Sequence, residues 1–343
     1  MKGDDVKVCI ISTESIPTPP SGYWGGIEAV CWDLCEALSE LGHDVSLVAR
    51  PGSKCPPNGF LLETFPDVPD KLGADERHFN AYKGFVADFD GVVHDHTNGK
   101  KACTIHMDVL NTFHWCQDPY TVRYRNISAV SHAHAKWLLQ HMPPDFQEVQ
   151  VVHHGIKAER FIYQEEKKDH YLFFSVIGAY KGAFDALKLA KETGVKIVFA
   201  GRDGDATEAV KNSGLPNVTY VGEVSNEKRA ELMSEAKALI FPTGAFGKAD
   251  WLEVFGFVQL ESLASGTPVI SSFNGACPEI IENGKTGFVC KSYEEMKQVV
   301  KENSVEDINP QTCRHVTETQ FSSERMAKDY VKLYERILSG EDW

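Results

Sequence analysis

Residues 6–12 read Val-Lys-Val-Cys-Ile-Ile-Ser, and residues 45–49 read Val-Ser-Leu-Val-Ala. Both are short apolar runs rich in β-branched residues, which is typical of buried strands. Between them, apolar side chains recur at the spacing of one helix face: Ile27, Val30, Cys31, Leu34, Leu38 and Leu41. Gly42 follows as a helix stop. This stretch therefore predicts a strand–helix–strand unit with parallel strands.

The same alternation continues along the chain. Further strands are expected at 91–94, 111–114, 127–130, 171–177, 195–200, 218–221, 238–241 and 268–271. Helices are expected at 133–141, 183–193 and 323–338. A chain of 343 residues is long enough for two α/β domains, and the polar stretch Gln164–His170 is the best candidate linker. Ligands of such parallel sheets bind outside the carboxyl ends of the strands.

Composition excludes several classes of function. The net charge is −14, and the acidity is spread over both halves, which argues against a nucleic-acid groove. Nine cysteines without a Cys-x-x-Cys pair indicate a reduced, cytoplasmic protein. The sequence has no apolar run long enough for a transmembrane helix and no apolar leader before the first strand. The same acidity weakens attraction to anionic lipids, and peripheral contact with a membrane is left open.

The strongest functional signal is Glu253-Val-Phe-Gly-Phe-Val-Gln-Leu-Glu261. A helix beginning near Gly256 would present the N–H groups of Phe255, Gly256 and Phe257 to an anion, and glycine would allow close approach. Eight residues of helix span about 12 Å, so the two glutamates would hold opposite ends of an extended ligand such as a nucleotide diphosphate sugar. Either glutamate alone would be interpreted as a surface residue of a helix, whereas the whole string favours a binding site.

This string resembles the E-x7-E signature of glycosyltransferase family 4. Other stretches resemble further motifs of that family in the same order: Gly22-Tyr-Trp-Gly-Gly26-Ile-Glu, Leu41-Gly42-His43-Asp44-Val45, His94-Asp95-His96, Ala129-Val130-Ser131, His154-Gly155-Ile156, Pro278-Glu279-Ile-Ile and Asn283-Gly284-Lys-Thr-Gly287-Phe. The resemblance implies a GT-B fold of two facing Rossmann-like domains, 1–160 and 170–322, with a deep cleft between them. Residues 323–343 would form a helix that returns to the first domain.

The resemblance also implies an activity. The enzyme would transfer a hexose, with retention of configuration, from a nucleotide diphosphate sugar to a sugar, lipid-linked or small-molecule acceptor, without a metal or cofactor. Glu253 and His114 would contact the donor sugar, and Lys181 would neutralise the leaving diphosphate. Glu261 would bind the ribose.

Further donor contacts are expected in the loops around these residues. Gly25 and Gly26 would let the loop after the first strand approach the diphosphate. Backbone near Val224 would recognise the base.

One departure from the family concerns Ile177-Gly178-Ala179-Tyr180-Lys181-Gly182. The arginine that normally precedes the lysine is absent, and the loop reads as shortened. Arg202 or Lys248 would have to replace the missing cation. A catalytically weak or inactive nucleotide-sugar-binding protein is therefore one alternative, and a GT-B phosphorylase or epimerase is another.

Two cofactor hypotheses fit the sequence poorly. The glycines at 22, 25 and 26 do not follow the G-x-G-x-x-G spacing of a nicotinamide site. Paired histidines such as His94 and His96 suggest a metal, but no cluster of cysteine and aspartate accompanies them. The sequence therefore predicts no metal site.

Overall fold

The computed structural model describes residues 5–20, 26–64, 74–97, 107–114, 126–142 and 148–343. The chain divides into two compact units. The first, here the N-terminal unit, comprises Met1–Gly155 and Ser322–Trp343. The second, the C-terminal unit, comprises Ile156–Phe321.

The N-terminal unit is built on a seven-stranded sheet in which all neighbouring strands run parallel. Its strands are β1 Lys7–Ile11, β2 Asp44–Ala49, β3 Phe60–Glu63, β4 Val92–Asp95, β5 Val109–Thr112, β6 Asn126–Ala129 and β7 Gln150–Val151. Their order is β3-β2-β1-β4-β5-β6-β7. The strand order therefore reverses between β1 and β4, as it does in a Rossmann-like sheet.

Helices cover this sheet: α1 Gly26–Glu40, α2 Ala74–Ala87, α3 His132–His141 and α11 Ser323–Leu338. Tyr82 and Val86 of α2 pack against Cys9, Ile11 and Val93 of the sheet. The C-terminal helix α11 packs against α1, β4 and β5. Its buried side chains repeat at helical spacing: Met326, Ala327, Tyr330, Leu333, Tyr334 and Ile337. Burial of this apolar stripe holds α11 on the N-terminal unit.

Close backbone contact at Gly155 fixes the start of α11. A Cβ atom at this position would lie 2.1 Å from the carbonyl oxygen of Ser322, so only glycine fits. Ser322 caps α11 by accepting a hydrogen bond from the Arg325 amide. The Arg325 guanidinium donates to the carbonyl oxygens of His153 and His154 at 2.7 and 2.9 Å. The first turn of α11 is therefore tied to the segment after β7.

The C-terminal unit contains a six-stranded parallel sheet in the order β10-β9-β8-β11-β12-β13. Its strands are β8 Tyr171–Phe174, β9 Ile197–Ala200, β10 Val218–Gly222, β11 Ala238–Phe241, β12 Val269–Ser272 and β13 Gly287–Cys290. Its helices are α4 Ala183–Thr193, α5 Thr207–Lys211, α6 Asn226–Glu235, α7 Phe257–Ala264, α8 Cys277–Ile280, α9 Tyr293–Lys301 and α10 Pro310–Gln320. Short 3₁₀ turns occur at Ala158–Arg160, Ala179–Lys181 and Thr243–Gly247.

The predicted Rossmann-like units with parallel sheets are confirmed, with local shifts. The strand expected at 111–114 spans Val109–Thr112, because Val109 already pairs with Val93. The strand expected at 171–177 ends at Phe174; beyond it, Ile177 makes only an isolated bridge to Asp203. Within the described ranges, no helix is both long enough and apolar enough to cross a membrane.

Candidate active site

The C-terminal sheet reverses its strand order between β8 and β11, which are direct neighbours. Parallel sheets bind ligands at this type of position, because the loops after the two strands leave in opposite directions and open a crevice. The loop after β8 carries Lys181, and the loop after β11 carries Glu253. The two residues that the sequence assigns to the sugar and the leaving group therefore follow the two strands that define the switch point.

Lys181 and Glu253 form a buried ion pair. The Lys181 ammonium lies 2.5 Å from Oε2 of Glu253, and their side chains are 14% and 6% exposed. Thr243 donates its hydroxyl proton to the same oxygen at 2.8 Å, and the Trp251 indole N–H lies 3.4 Å from it. Three donors thus converge on one carboxylate oxygen, which keeps the carboxylate in a fixed orientation.

Aromatic rings surround the Lys181 ammonium. It lies 4.5 Å from the centroid of the Trp251 ring, 5.7 Å from that of Tyr180 and 5.9 Å from that of Phe241. A cation near the faces of such rings is stabilised by their quadrupoles even where water is scarce. The rings and Glu253 together offset the cost of burying this charge.

The backbone of Glu253 is clamped to the loop after β12. Its amide donates to the Asn274 side-chain oxygen at 2.7 Å, and its carbonyl accepts from the Ala276 amide at 2.9 Å. The Asn274 amide group also donates to the Trp251 carbonyl at 2.9 Å. Sequence reasoning did not single out Thr243, Trp251 or Asn274. Thr243 lies two residues after β11, and Asn274 lies two residues after β12. A polar side chain just beyond a predicted strand was the signal that could have identified them.

Helix α7 begins at Phe257, one residue after the expected position, and Gly256 is its N-cap. Gly256 has a φ of 81°, and a Cβ atom there would lie 2.6 Å from the Gln259 side-chain nitrogen. That nitrogen donates to the Phe255 carbonyl at 3.0 Å. The chain's own turn therefore requires glycine at this position. The Phe255 ring is buried against Phe257, with centroids 5.6 Å apart.

Glu261 lies one turn before the end of α7 and forms its own ion pair with Arg229 of α6. The Arg229 guanidinium also lies 5.2 Å from the centroid of the Phe174 ring. Each glutamate of the motif thus has its own cationic partner. The family resemblance assigned Lys181 to the leaving diphosphate and did not predict its pairing with Glu253, and the sequence analysis did not single out Arg229.

Arg202, Val224 and Lys248 also belong to the C-terminal unit. Arg202 is exposed directly after β9, and Val224 lies between β10 and the N-cap of α6. Burial raises the pKa of Tyr180, and the positive charge of Arg202 partly opposes that shift. Arg202 is thus near the turn that carries Lys181. Lys248 instead pairs with Asp185 at 3.0 Å, which directs its charge toward α4.

In the N-terminal unit, Gly26 and His114 are described, whereas Gly25 lies outside the described residues. Gly26 is the first residue of α1, and among the described residues no atom beyond its own helix lies within 4 Å of an added Cβ. His114 stands two residues beyond β5 and is buried. Its Nε2 lies 3.0 Å from Nδ1 of His96, and its ring stacks on that of His154 with centroids 5.3 Å apart.

His96 and His114 belong to a buried histidine cluster, which also contains His94 and His154. His94 Nδ1 is 2.7 Å from the Tyr334 hydroxyl, and His94 Nε2 is 2.7 Å from the Thr112 hydroxyl. Burial, reinforced by repulsion within the cluster, lowers the pKa of all four imidazoles well below its usual value. The cluster is therefore uncharged at neutral pH.

Two family descriptions match the chain. Residues 24–160 match "Glycosyltransferase Family 4", and residues 155–318 match "Glycosyl transferases group 1". A probable sucrose-phosphate synthase of Thermosipho melanesiensis is 35% identical over 27% of this chain and 22% of its own length. The matched regions span 22% to 47% of the lengths of the first curated relatives.

Solved structures match over nearly the whole chain. AviGT4, a glycosyltransferase involved in avilamycin A biosynthesis, is similar with a TM-score of 0.77 and 26% identity, covering 98% of this chain and 99% of that one. Anabaena HepE in complex with UDP-glucose matches with a TM-score of 0.69 and 13% identity, covering 98% of this chain and all of that one, which is a likeness of fold. The two family matches join at the boundary between the units, and the chain belongs to the family 4, group 1 glycosyltransferases of GT-B fold.

Proposed function

We propose that this protein transfers a hexose from a nucleoside diphosphate sugar to an acceptor hydroxyl, with retention of configuration and without a metal. The observation that carries this proposal is the Lys181–Glu253 ion pair at the switch point of the C-terminal sheet. A carboxylate that can accept from sugar hydroxyls and a cation that can meet a diphosphate lie side by side. These are the two groups that cleavage of a glycosyl phosphate needs.

Lys181 would stabilise the departing diphosphate. Negative charge develops on the phosphate oxygen as its bond to the anomeric carbon breaks, and a preorganised ammonium lowers the energy of that state. In the structure, the ammonium lies against Glu253. A diphosphate carries more charge than one carboxylate, so donor binding would draw Lys181 from Glu253 toward the phosphate.

Retention follows from attack on the face from which the diphosphate leaves. The acceptor oxygen forms its bond to the anomeric carbon, the carbon–oxygen bond to phosphate breaks, and the hydroxyl proton passes to the departing phosphate oxygen. This route needs no protein base. Glu253, held by Thr243 and Asn274, would fix the sugar hydroxyls during the step.

The remaining donor contacts would come from both ends of α7 and from other strand ends. The N-terminus of α7 favours phosphate, and Glu261 would accept from the ribose. Val224 would meet the base, and Arg202 would supply positive charge near Lys181. For Gly26 and His114 of the N-terminal unit, the family resemblance remains the basis for assigning the first to the diphosphate and the second to the donor sugar. The UDP-glucose held by HepE, a protein of the same fold, supports this donor class.

A thermal-shift panel tests the donor class directly. The protein is heated with UDP, GDP, ADP and their common sugar conjugates in the presence of EDTA. A ligand at about 100 times its dissociation constant stabilises the folded state by about 2.7 kcal/mol, which raises the melting temperature. We expect a shift with one nucleotide family. No shift with any nucleotide would refute the proposal.

A non-catalytic nucleotide-sugar-binding protein is the second candidate, because the arginine before Lys181 is absent and Lys248 is paired with Asp185. The two candidates differ in turnover. A transferase releases the free nucleoside diphosphate from the stabilising donor, and Lys181→Ala slows that release far more than it weakens nucleotide binding. Stabilisation by donor without any release favours the second candidate.

A further inference from the structure

Arg229 has a defined place beside the second glutamate of the motif. It lies in the first turn of α6, whose N-cap Ser225 accepts from the Lys228 amide. Its Nη2 contacts Oε1 of Glu261, and its guanidinium lies over the Phe174 ring. The two side chains are 24% and 10% exposed. Arg229 is thus held by two contacts, one to an aromatic ring and one to a carboxylate.

The pair leaves one acceptor unused. Oε2 of Glu261 and Nε of Arg229 are both buried, and neither has a hydrogen-bond partner among the residues that the structure describes. A buried carboxylate oxygen without a donor is costly, and such a position is normally completed by water or by a ligand. The arginine binds Oε1, whereas Oε2 is the oxygen that has no donor and can accept from a hydroxyl.

We infer that Arg229 is a positioning residue that makes this site selective for ribose. By holding Oε1, it aims Oε2 at the ribose hydroxyls. This inference rests on the proposed role of Glu261 in binding the ribose of the donor. It adds that a second residue, on a different helix, sets the discrimination between a ribonucleotide and a nucleotide without ribose hydroxyls.

The alternative is that Arg229 only joins α6 to α7. A joining role predicts lower thermal stability and an equal loss of affinity for every nucleotide. A positioning role predicts a specific loss of the preference for ribose hydroxyls. The ratio of two dissociation constants separates the roles, because a general loss of stability cancels in that ratio.

The experiment compares the nucleoside diphosphate that stabilises the protein, among UDP, GDP and ADP, with its 2′,3′-dideoxy counterpart by titration calorimetry. Wild-type protein is expected to bind the ribose form about tenfold or more tightly, since a hydrogen bond to a charged group is lost in the dideoxy form. In Arg229→Met, which keeps the aliphatic length, the ratio is expected to fall to about one, as in Glu261→Gln. Lys228→Met is the control, because Lys228 is the exposed neighbour that pairs with Glu231, and it should keep the wild-type ratio.

If Arg229→Met does not fold, the same measurement is made on Arg229→Lys. It keeps the cation and loses the planar fork, so the ratio should lie between those of wild type and Glu261→Gln. A wild-type ratio in the folded Arg229 variants overturns the inference while leaving the proposed function intact. Failure of wild-type protein to bind any of the three diphosphates overturns both.

Discussion

The Lys181 ammonium lies 2.5 Å from the Glu253 carboxylate, although the two residues are 72 positions apart in the chain. They meet because β8 and β11 are neighbours, and each residue stands in the loop that follows its strand. The structure therefore brings the proposed leaving-group cation and the proposed sugar-binding carboxylate into direct contact. Under the proposed function, donor binding would exchange this contact for contacts to phosphate and sugar.

Removing one partner of the ion pair should destabilise the protein more than removing both. Lys181→Met leaves the buried Glu253 carboxylate without its cation, and we expect a loss of about 3 kcal/mol in the free energy of unfolding. Lys181→Met combined with Glu253→Gln removes both charges and should recover most of that loss. Urea denaturation measures both. The matched control is Lys188→Met, whose lysine makes an exposed pair with Glu192; a loss of similar size in this control would contradict the assignment.

Neutralising Glu253 should impair transfer more than nucleotide binding. Glu253→Gln keeps the shape but loses the charged acceptor for sugar hydroxyls, so we expect a decrease of about 10- to 100-fold in kcat/KM for the donor sugar. The dissociation constant of the free nucleoside diphosphate, which has no sugar hydroxyl at this position, should change much less. Glu231→Gln, an exposed glutamate of α6, should alter neither quantity. Equal losses in transfer and in diphosphate binding would remove Glu253 from the sugar site.

The histidine cluster should make the fold sensitive to acid. Because the pKa of His94, His96, His114 and His154 is lowered in the folded state, the unfolded chain binds more protons below its own histidine pKa of about 6.5. Stability should therefore be complete above pH 6.5 and fall as the pH is lowered. The slope is at most about 1.4 kcal/mol per pH unit for each histidine.

Urea midpoints at pH 7.5, 6.5 and 5.5 measure this slope. His96→Asn places a side-chain oxygen near the position of Nδ1 and removes one titrating group, so it should reduce the slope. The matched change at exposed His315, to Gln, should leave the slope unchanged. The raised pKa of Glu28 and Asp95 has the opposite effect on the slope. Ionising these two buried carboxyl groups lowers the free energy of unfolding as the pH rises above about 4. Equal slopes for wild type and His96→Asn between pH 7.5 and 5.5 would contradict the buried, neutral state of the cluster.

Gly155 should be intolerant of any side chain. In Gly155→Ala the new methyl group would collide with the backbone of Ser322 at 2.1 Å, so the start of α11 must move. We expect a loss of about 2 kcal/mol or more. Gly84→Ala is the opposite case. Gly84 lies inside α2, and an added Cβ would meet no described atom within 4 Å beyond the helix's own backbone and its chain neighbours, so the change should stabilise the protein by about 0.5–1 kcal/mol. Thermal unfolding of both variants checks the pair.

Local patterns in the sequence were sufficient for much of the fold and for part of the site. Helices 183–193 and 323–338 were predicted at their observed bounds, because each carries its apolar stripe and its end signals within its own residues. The string from Glu253 to Glu261 could be recognised from the sequence, because a loop, the start of a helix and both carboxylates lie within nine residues of the chain. Three strands were not predicted: β3, β7 and β13. All three are edge strands of two to four residues. Each forms because it can hydrogen-bond to one neighbouring strand, and its own residues carry little strand signal.

The partners of the functional residues depend on the tertiary structure. The order of the strands decides that Glu253 pairs with Lys181, that Asn274 holds its backbone and that Arg229 meets Glu261. It also gathers four histidines into one cluster: His94 of β4, His96 directly after it, His114 after β5 and His154 after β7. The sequence alone determined which chemical groups stand at strand ends, because that is a local property. Which of those groups touch is a long-range property, set by which strands become neighbours when the sheet forms.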